Sequence, residues 1–124
     1  MSQNSCDQAF AQLASIKEML KAVENATGDE REASRTAIYD DPLEVSVRCA
    51  SWSSPYDNLE PDEYRVLLCT GGPAVQITGD LNEHMQPVTA RLQHQDWFEP
   101  WETLSIDDKD NEALLSYAYH FFPC

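Results

Sequence analysis

Apolar and polar residues follow three different rhythms along this chain. From Tyr64 to Leu81 it reads Y-R-V-L-L-C-T-G-G-P-A-V-Q-I-T-G-D-L. Two apolar runs either side of a glycine turn predict a β-hairpin, with strands near 64–70 and 74–80. The first arm is apolar on both faces, the mark of a central strand, and Gly71-Gly72 suits a tight turn that needs positive φ. Upstream, Leu43, Val45, Val47 and Cys49 alternate with Glu44, Ser46 and Arg48. This period of two predicts a strand over 43–50 with one wet face. Downstream, Val88, Ala90 and Leu92 alternate with Thr89, Arg91 and Gln93, a fourth strand over 88–95, after a turn at 82–87.

The two ends carry the helical period. Phe10, Leu13, Ile16, Leu20 and Val23 recur at steps of three or four behind Ser5-Cys6-Asp7-Gln8, which has the form of a capping box. Gly28-Asp29 interrupts, and Asp29 can cap a second segment that ends at Asp40-Asp41-Pro42. Residues 5–39 are therefore one kinked helix or two. Ser105-Ile106-Asp107-Asp108 starts a closing helix over 108–121, with Leu114, Leu115, Ala118 and Phe121 or Phe122 on its apolar side. The expected fold is α+β: a four-stranded antiparallel meander with the N-terminal and C-terminal helices packed on it, in one domain spanning 1–124. The sheet occupies 43–95 and a loop rich in aromatic and acidic residues occupies 96–107. The apolar face of Phe10, Leu13, Leu20 and Val23 exceeds what one such sheet covers, which raises a homodimer through this helix.

Charge changes the picture more than composition does. Twenty-two acids face eight bases, a net charge of −14. Residues 57–124 hold thirteen of those acids and three of the bases. Such a field repels nucleic acid and membrane surfaces, and it either serves solubility alone or favours a partner with a basic surface. No apolar run is long enough to span a membrane. The N-terminus has neither the basic start nor the apolar stretch of a secretory signal, so a cytoplasmic protein is expected. In that compartment Cys6, Cys49, Cys69 and Cys124 are expected as free thiols, and Cys49 and Cys69 as small core residues.

No catalytic constellation is legible. His84, His94 and His120 are too scattered for a metal motif. Gly71-Gly72 lacks the lysine and following helix of a phosphate loop. Cys69 beside a glycine turn is the one nucleophile worth weighing, but its apolar neighbours favour a core thiol, and a cysteine-dependent enzyme is the least favoured class. Neither catalytic residue, metal nor cofactor is expected. Trp97-Phe98-Glu99-Pro100-Trp101 closes the sheet edge, anchors an interface, or does both with one tryptophan facing in and one out. The expected partner-binding residues are Asp57, Glu60, Asp62 and Glu63 in the loop before the hairpin, and Trp97, Glu99, Trp101, Glu102, Asp107 and Asp108 after the fourth strand.

The runs Y-R-V-L-L-C-T-G-G-P-A-V-Q-I at 64–77 and A-R-L-Q-H-Q-D-W-F-E-P-W at 90–101, with I-Y-D-D-P-L-E-V-S-V-R at 38–48, resemble a family of short acidic proteins encoded by phages, plasmids and integrative elements of proteobacteria. The resemblance covers nearly the whole chain and implies context rather than mechanism. Joined to the charge, it suggests a non-enzymatic protein of the anti-CRISPR or antirestriction type. Such a protein imitates a polyanion and occupies a basic groove on a nucleic-acid-binding defence component of the bacterial host. The alternative is a small regulatory or ligand-binding module with an apolar pocket between helix and sheet.

Overall fold

The structure is a computed structural model that describes residues 5–49, 52, 54–56, 60–70 and 72–122. The N-terminal segment is two helices, α1 (Ser5–Asn25) and α2 (Asp29–Asp40). Gly28 separates them at φ 58, a left-handed conformation open to glycine at no steric cost. Its carbonyl accepts from the Arg31 and Glu32 N–H groups, so Gly28, not Asp29, occupies the cap position, without a side-chain bond. Ser5 does not close a capping box with Gln8 either. Its hydroxyl and its N–H both donate to the carboxylate of Asp96, so the start of α1 is held from the far end of the sheet.

Five strands, not four, follow in the order β1 (Glu44–Arg48), β2 (Glu63–Cys69), β3 (Ala74–Asp80), β4 (Arg91–Gln95) and β5 (Glu102–Thr103), every neighbouring pair antiparallel. The meander is as expected. The extra strand falls inside the expected 96–107 loop and is two residues long, too short to show a period. The centre of the sheet is β3, with β2 one step outward. Gly72 keeps an ordinary φ; Gly28 is the sole described glycine at positive φ, and Gly71 lies outside the described residues. The helix α3 (Asp108–Tyr119) closes the chain, capped by Asp107 accepting from the Asp110 N–H at 2.8 Å.

The fourth strand starts later than its alternation suggests. At Gly79 a Cβ would collide with the Thr89 carbonyl oxygen, so the chain at 89–90 crosses closely over a bare glycine, while the Val88 N–H still donates to the Asp80 carbonyl at 2.9 Å. That carbonyl accepts from the Tyr64 hydroxyl at 2.7 Å, and the Asp80 N–H takes the Thr89 hydroxyl at 2.8 Å in place of a backbone partner. The ladder to β4 therefore ends at Thr78 opposite Arg91.

All three helices lie on one side of the sheet. Val66, Ile77 and Leu92 are fully buried there against Ala9, Leu13, Ile16, Leu114 and Tyr117. A bulge between Leu67 and Cys69 turns the cysteine toward this core. Burial raises the Cys69 thiol above its ordinary pKa, the opposite of what activates a nucleophile. Leu13 is core, and Leu20 and Val23 pack at its margin, so of the face proposed for a dimer only Phe10 stands exposed. The cover does not reach the first edge: Val45 and Val47 point to the helix side yet remain 37% and 41% exposed. Cys6, Cys49 and Cys69 are free thiols, Cys49 exposed at the β1 edge rather than in the core as expected, and Cys124 lies outside the described residues. No described helix is long and apolar enough to cross a membrane.

Candidate protein-binding surface

Between β4 and β5 the chain makes one tight excursion. The Glu99 N–H donates to the Asp96 carbonyl at 3.1 Å, and the Gln95 side chain donates to the Glu99 carbonyl at 2.7 Å. On the return, the Leu104 N–H donates to the Leu92 carbonyl at 2.8 Å and Leu104 is buried. Both ends of the excursion are fixed, and its tip is Trp97-Phe98. Trp97 is 64% exposed and Phe98 98% exposed, their rings 5.7 Å apart. Phe98 has φ 64, a left-handed conformation that costs a residue with a Cβ roughly 1–2 kcal/mol. At 98% exposure Phe98 recovers little of that beyond its contact with the Trp97 ring. The cost is a property of the tip, and strain of this kind concentrates where a surface is used.

The two tryptophans part company. Trp101 lies two residues before Thr103, which pairs with Gln93, so it faces the side of the sheet without helices and is half-buried there. Trp97 stays on the helix side beside a cavity of about 580 Å³, which Ser5, His94, Asp96 and Glu102 also line. The sequence allowed the two roles to be divided between the tryptophans; the fold turns Trp101 against the sheet and leaves Trp97 exposed.

The expected acidic residues do not form one patch. Glu60 and Asp62 are exposed at the β1–β2 end, where the Asp62 N–H donates to the Arg48 carbonyl. Glu63 is half-buried and accepts from Arg48 Nε at 3.1 Å on the side without helices. Asp57 lies outside the described residues. Glu99 and Glu102 are exposed around the aromatic tip, on the opposite edge of the sheet. Three strand spacings, roughly 14 Å, separate β2 from β5. Asp107 is spent on capping α3, and Asp108 is exposed in the first turn of that helix. Only Glu99 and Glu102 share a place with the aromatic anchors.

One cluster was not legible in advance. Ser5 Oγ lies 2.9 Å from His94 Nδ1 and donates to Asp96 Oδ2 at 2.9 Å. The residue types are those of a hydrolytic triad, but the order is wrong. In a triad the imidazole stands between hydroxyl and carboxylate and takes the hydroxyl proton. Here the hydroxyl stands in the middle and gives its proton to the carboxylate. Ser5 is also fully buried. The cluster is a clasp that holds α1 to the base of the tip. Some ninety residues separate its members, and no local pattern announces it. Among the described residues no group of three or more His, Cys, Asp or Glu is placed to hold a metal ion.

Comparisons with known proteins give no match: no family model fits the chain, and no curated protein and no solved structure matches it.

Proposed function

We propose that the protein is a non-enzymatic binder whose Trp97-Phe98 tip, with Glu99 and Glu102 at its rim, docks on a basic surface of a host protein. The observation that carries this reading is a pair of exposed aromatic rings on a firmly anchored turn, one of them at positive φ, with exposed carboxylates beside them. Aromatic anchors supply the desolvated centre of an interface and charges at the rim steer association. The resemblance to acidic proteins of mobile elements narrows the partner to a nucleic-acid-binding defence component, CRISPR or restriction complexes being the first to try. The second half of the molecule contributes as a local acidic rim at β5, a smaller role than that of an extended polyanion.

The experiment is a plating assay. Hosts carrying a defined restriction or CRISPR system are challenged with phage, with and without the protein. Expression is expected to restore plating in at least one of them, and Trp97→Ala with Phe98→Ala to abolish that effect while the protein still accumulates. Restoration that survives the double change removes the tip from the mechanism. No restoration with any system removes the defence-inhibitor reading.

A further inference from the structure

The side of the sheet without helices carries a second, chemically different surface. Pairing registers place Ser46 beside Arg65, Arg65 beside Thr78, and Thr78 beside Arg91, one row across four strands. Arg48 stands one step along from Ser46 on β1. Three of the eight Lys and Arg residues of a chain with net charge −14 are thus gathered on one face. Arg65 and Arg91 are two strand spacings apart, roughly 9–10 Å, with the short Thr78 between them. Long side chains reach across that gap. A cavity of about 640 Å³ lies over the row, and Trp101 lines it.

Two of these arginines, Arg65 and Arg91, are poorly neutralised. Arg48 pairs with Glu63 at 3.1 Å, but Arg65 reaches Glu44 only at 3.9 Å. Among the described residues Arg91 has no ion-pair partner within 4.0 Å. A second observation points the same way. The next row runs Leu67, Gln76, Gln93, Thr103. Gln76 lines the cavity, is only 6% exposed and donates to Gln93 Oε1 at 2.8 Å, yet its own Oε1 has no partner. A buried amide oxygen without a donor costs free energy that a ligand can return. Turning both amides end for end leaves an N–H of Gln76 unpaired instead, so the need for a polar partner does not depend on their orientation.

We propose that this face binds a nucleoside monophosphate. Arg65 and Arg91 hold the phosphate, for which planar guanidinium groups are suited. The base lies against Trp101 and presents its hydrogen-bonding edge to Gln76. A base edge carries donors and acceptors side by side, which answers the unpaired amide in either orientation. The cavity falls within the usual range of about 300–1,000 Å³ for small-molecule sites. The size of the ligand follows from charge. A mononucleotide brings about two negative charges, whereas a nucleic-acid strand would carry its phosphates past the acidic remainder of the surface.

Calorimetry on the full chain with AMP, GMP, CMP and UMP, inorganic phosphate and a single-stranded octanucleotide tests this. At least one mononucleotide is expected to bind and to move the indole N–H NMR signal of Trp101. Arg65→Ala and Arg91→Ala are each expected to weaken it about tenfold or more, the loss of a charge-assisted contact. Gln76→Leu is expected to weaken it while the thermal midpoint holds or rises. The proposal is overturned by any of four results: no mononucleotide binds, inorganic phosphate binds equally well, the octanucleotide binds more tightly, or the arginine variants keep full affinity. None of these involves Trp97 or Phe98, so the result is independent of the plating assay.

Discussion

The two faces of this sheet are built from the same five strands and share almost nothing. On the helix side, Val66, Ile77 and Leu92 form a continuous row with no solvent exposure. One residue along, on the other side, the corresponding row is Arg65, Thr78 and Arg91. The covered face answers to the hydrophobic effect: its residues could be exchanged for others of similar volume without changing what the surface is. The bare face answers to specific polar and charged groups, and one of them, Gln76, is left with an unmet hydrogen bond. The alternation itself is ordinary for a sheet covered on one side; what sets the bare face apart is the gathering of Arg65 and Arg91 around the unmet Gln76. Burial of apolar surface is concentrated on one side, and the proposed nucleotide site lies on the other.

Substitutions that treat the two faces alike are the direct way to break this contrast. Leu92→Ala on the covered face should cost about 2–5 kcal/mol, the range for emptying a fully buried leucine. Thr78→Ala on the bare face should cost less than about 1 kcal/mol. Similar losses in urea titrations of both variants would erase the distinction. Next in size is Gly79→Ala. A methyl group meeting the Thr89 carbonyl oxygen must push the β3–β4 crossing apart, at about 1–3 kcal/mol. The loss should come with faster hydrogen exchange at Asp80, whose N–H is held by Thr89.

A pH titration sharpens the contrast, because the buried hydroxyls sit on the covered side. Tyr117 is held protonated above its ordinary pKa of 10.0, first by burial and then by its 2.6 Å hydrogen bond to Asp41. Burial does the same to Tyr64. Because the folded values exceed the unfolded ones, their stabilising contribution is complete below about pH 10 and is lost as pH rises through the folded values. Unfolding free energy should therefore bend downward above about pH 10. Tyr117→Phe should remove one proton from that slope and about 1 kcal/mol at neutral pH. A slope unchanged by Tyr117→Phe would show that this hydroxyl does not titrate with unfolding. The smallest effect has the opposite sign. Phe98→Gly relieves a left-handed conformation and should raise stability by up to about 1 kcal/mol, seen as a higher thermal midpoint, while weakening any partner held by the tip.

The sequence carries one of the two faces plainly and the other hardly at all. Val66, Ile77 and Leu92 are legible because apolar residues at a period of two announce a covered face without knowledge of what they pair with. Arg65 and Arg91 are ordinary polar positions until the register aligns them, and register is a relation between strands that no single stretch contains. The same reason hid the Ser5–His94–Asp96 clasp, whose residues belong to a helix start and the end of β4. The strand β5 escaped because two residues cannot show alternation, and the break at Gly28 was visible as a glycine but not as a choice between a kink and a gap. The acidic residues misled by number. Their count suggested one broad surface, whereas Glu63 is matched to an arginine and Asp107 is a helix cap. The aromatic segment stood out in the sequence, but which tryptophan faces which way depended on Thr103 pairing with Gln93.

Asp96 gives both of its carboxylate oxygens to Ser5 and its carbonyl to the turn that carries Trp97 and Phe98. A pull on the tip is therefore felt first at the opening turn of α1, more than ninety positions away in sequence. The amide of Ser5 becomes a gauge of occupancy. Its exchange with solvent deuterium should slow when a partner seats on the rings and steadies the turn, and should quicken when Asp96 is replaced by alanine. That single amide would register docking without a label on the binding surface itself.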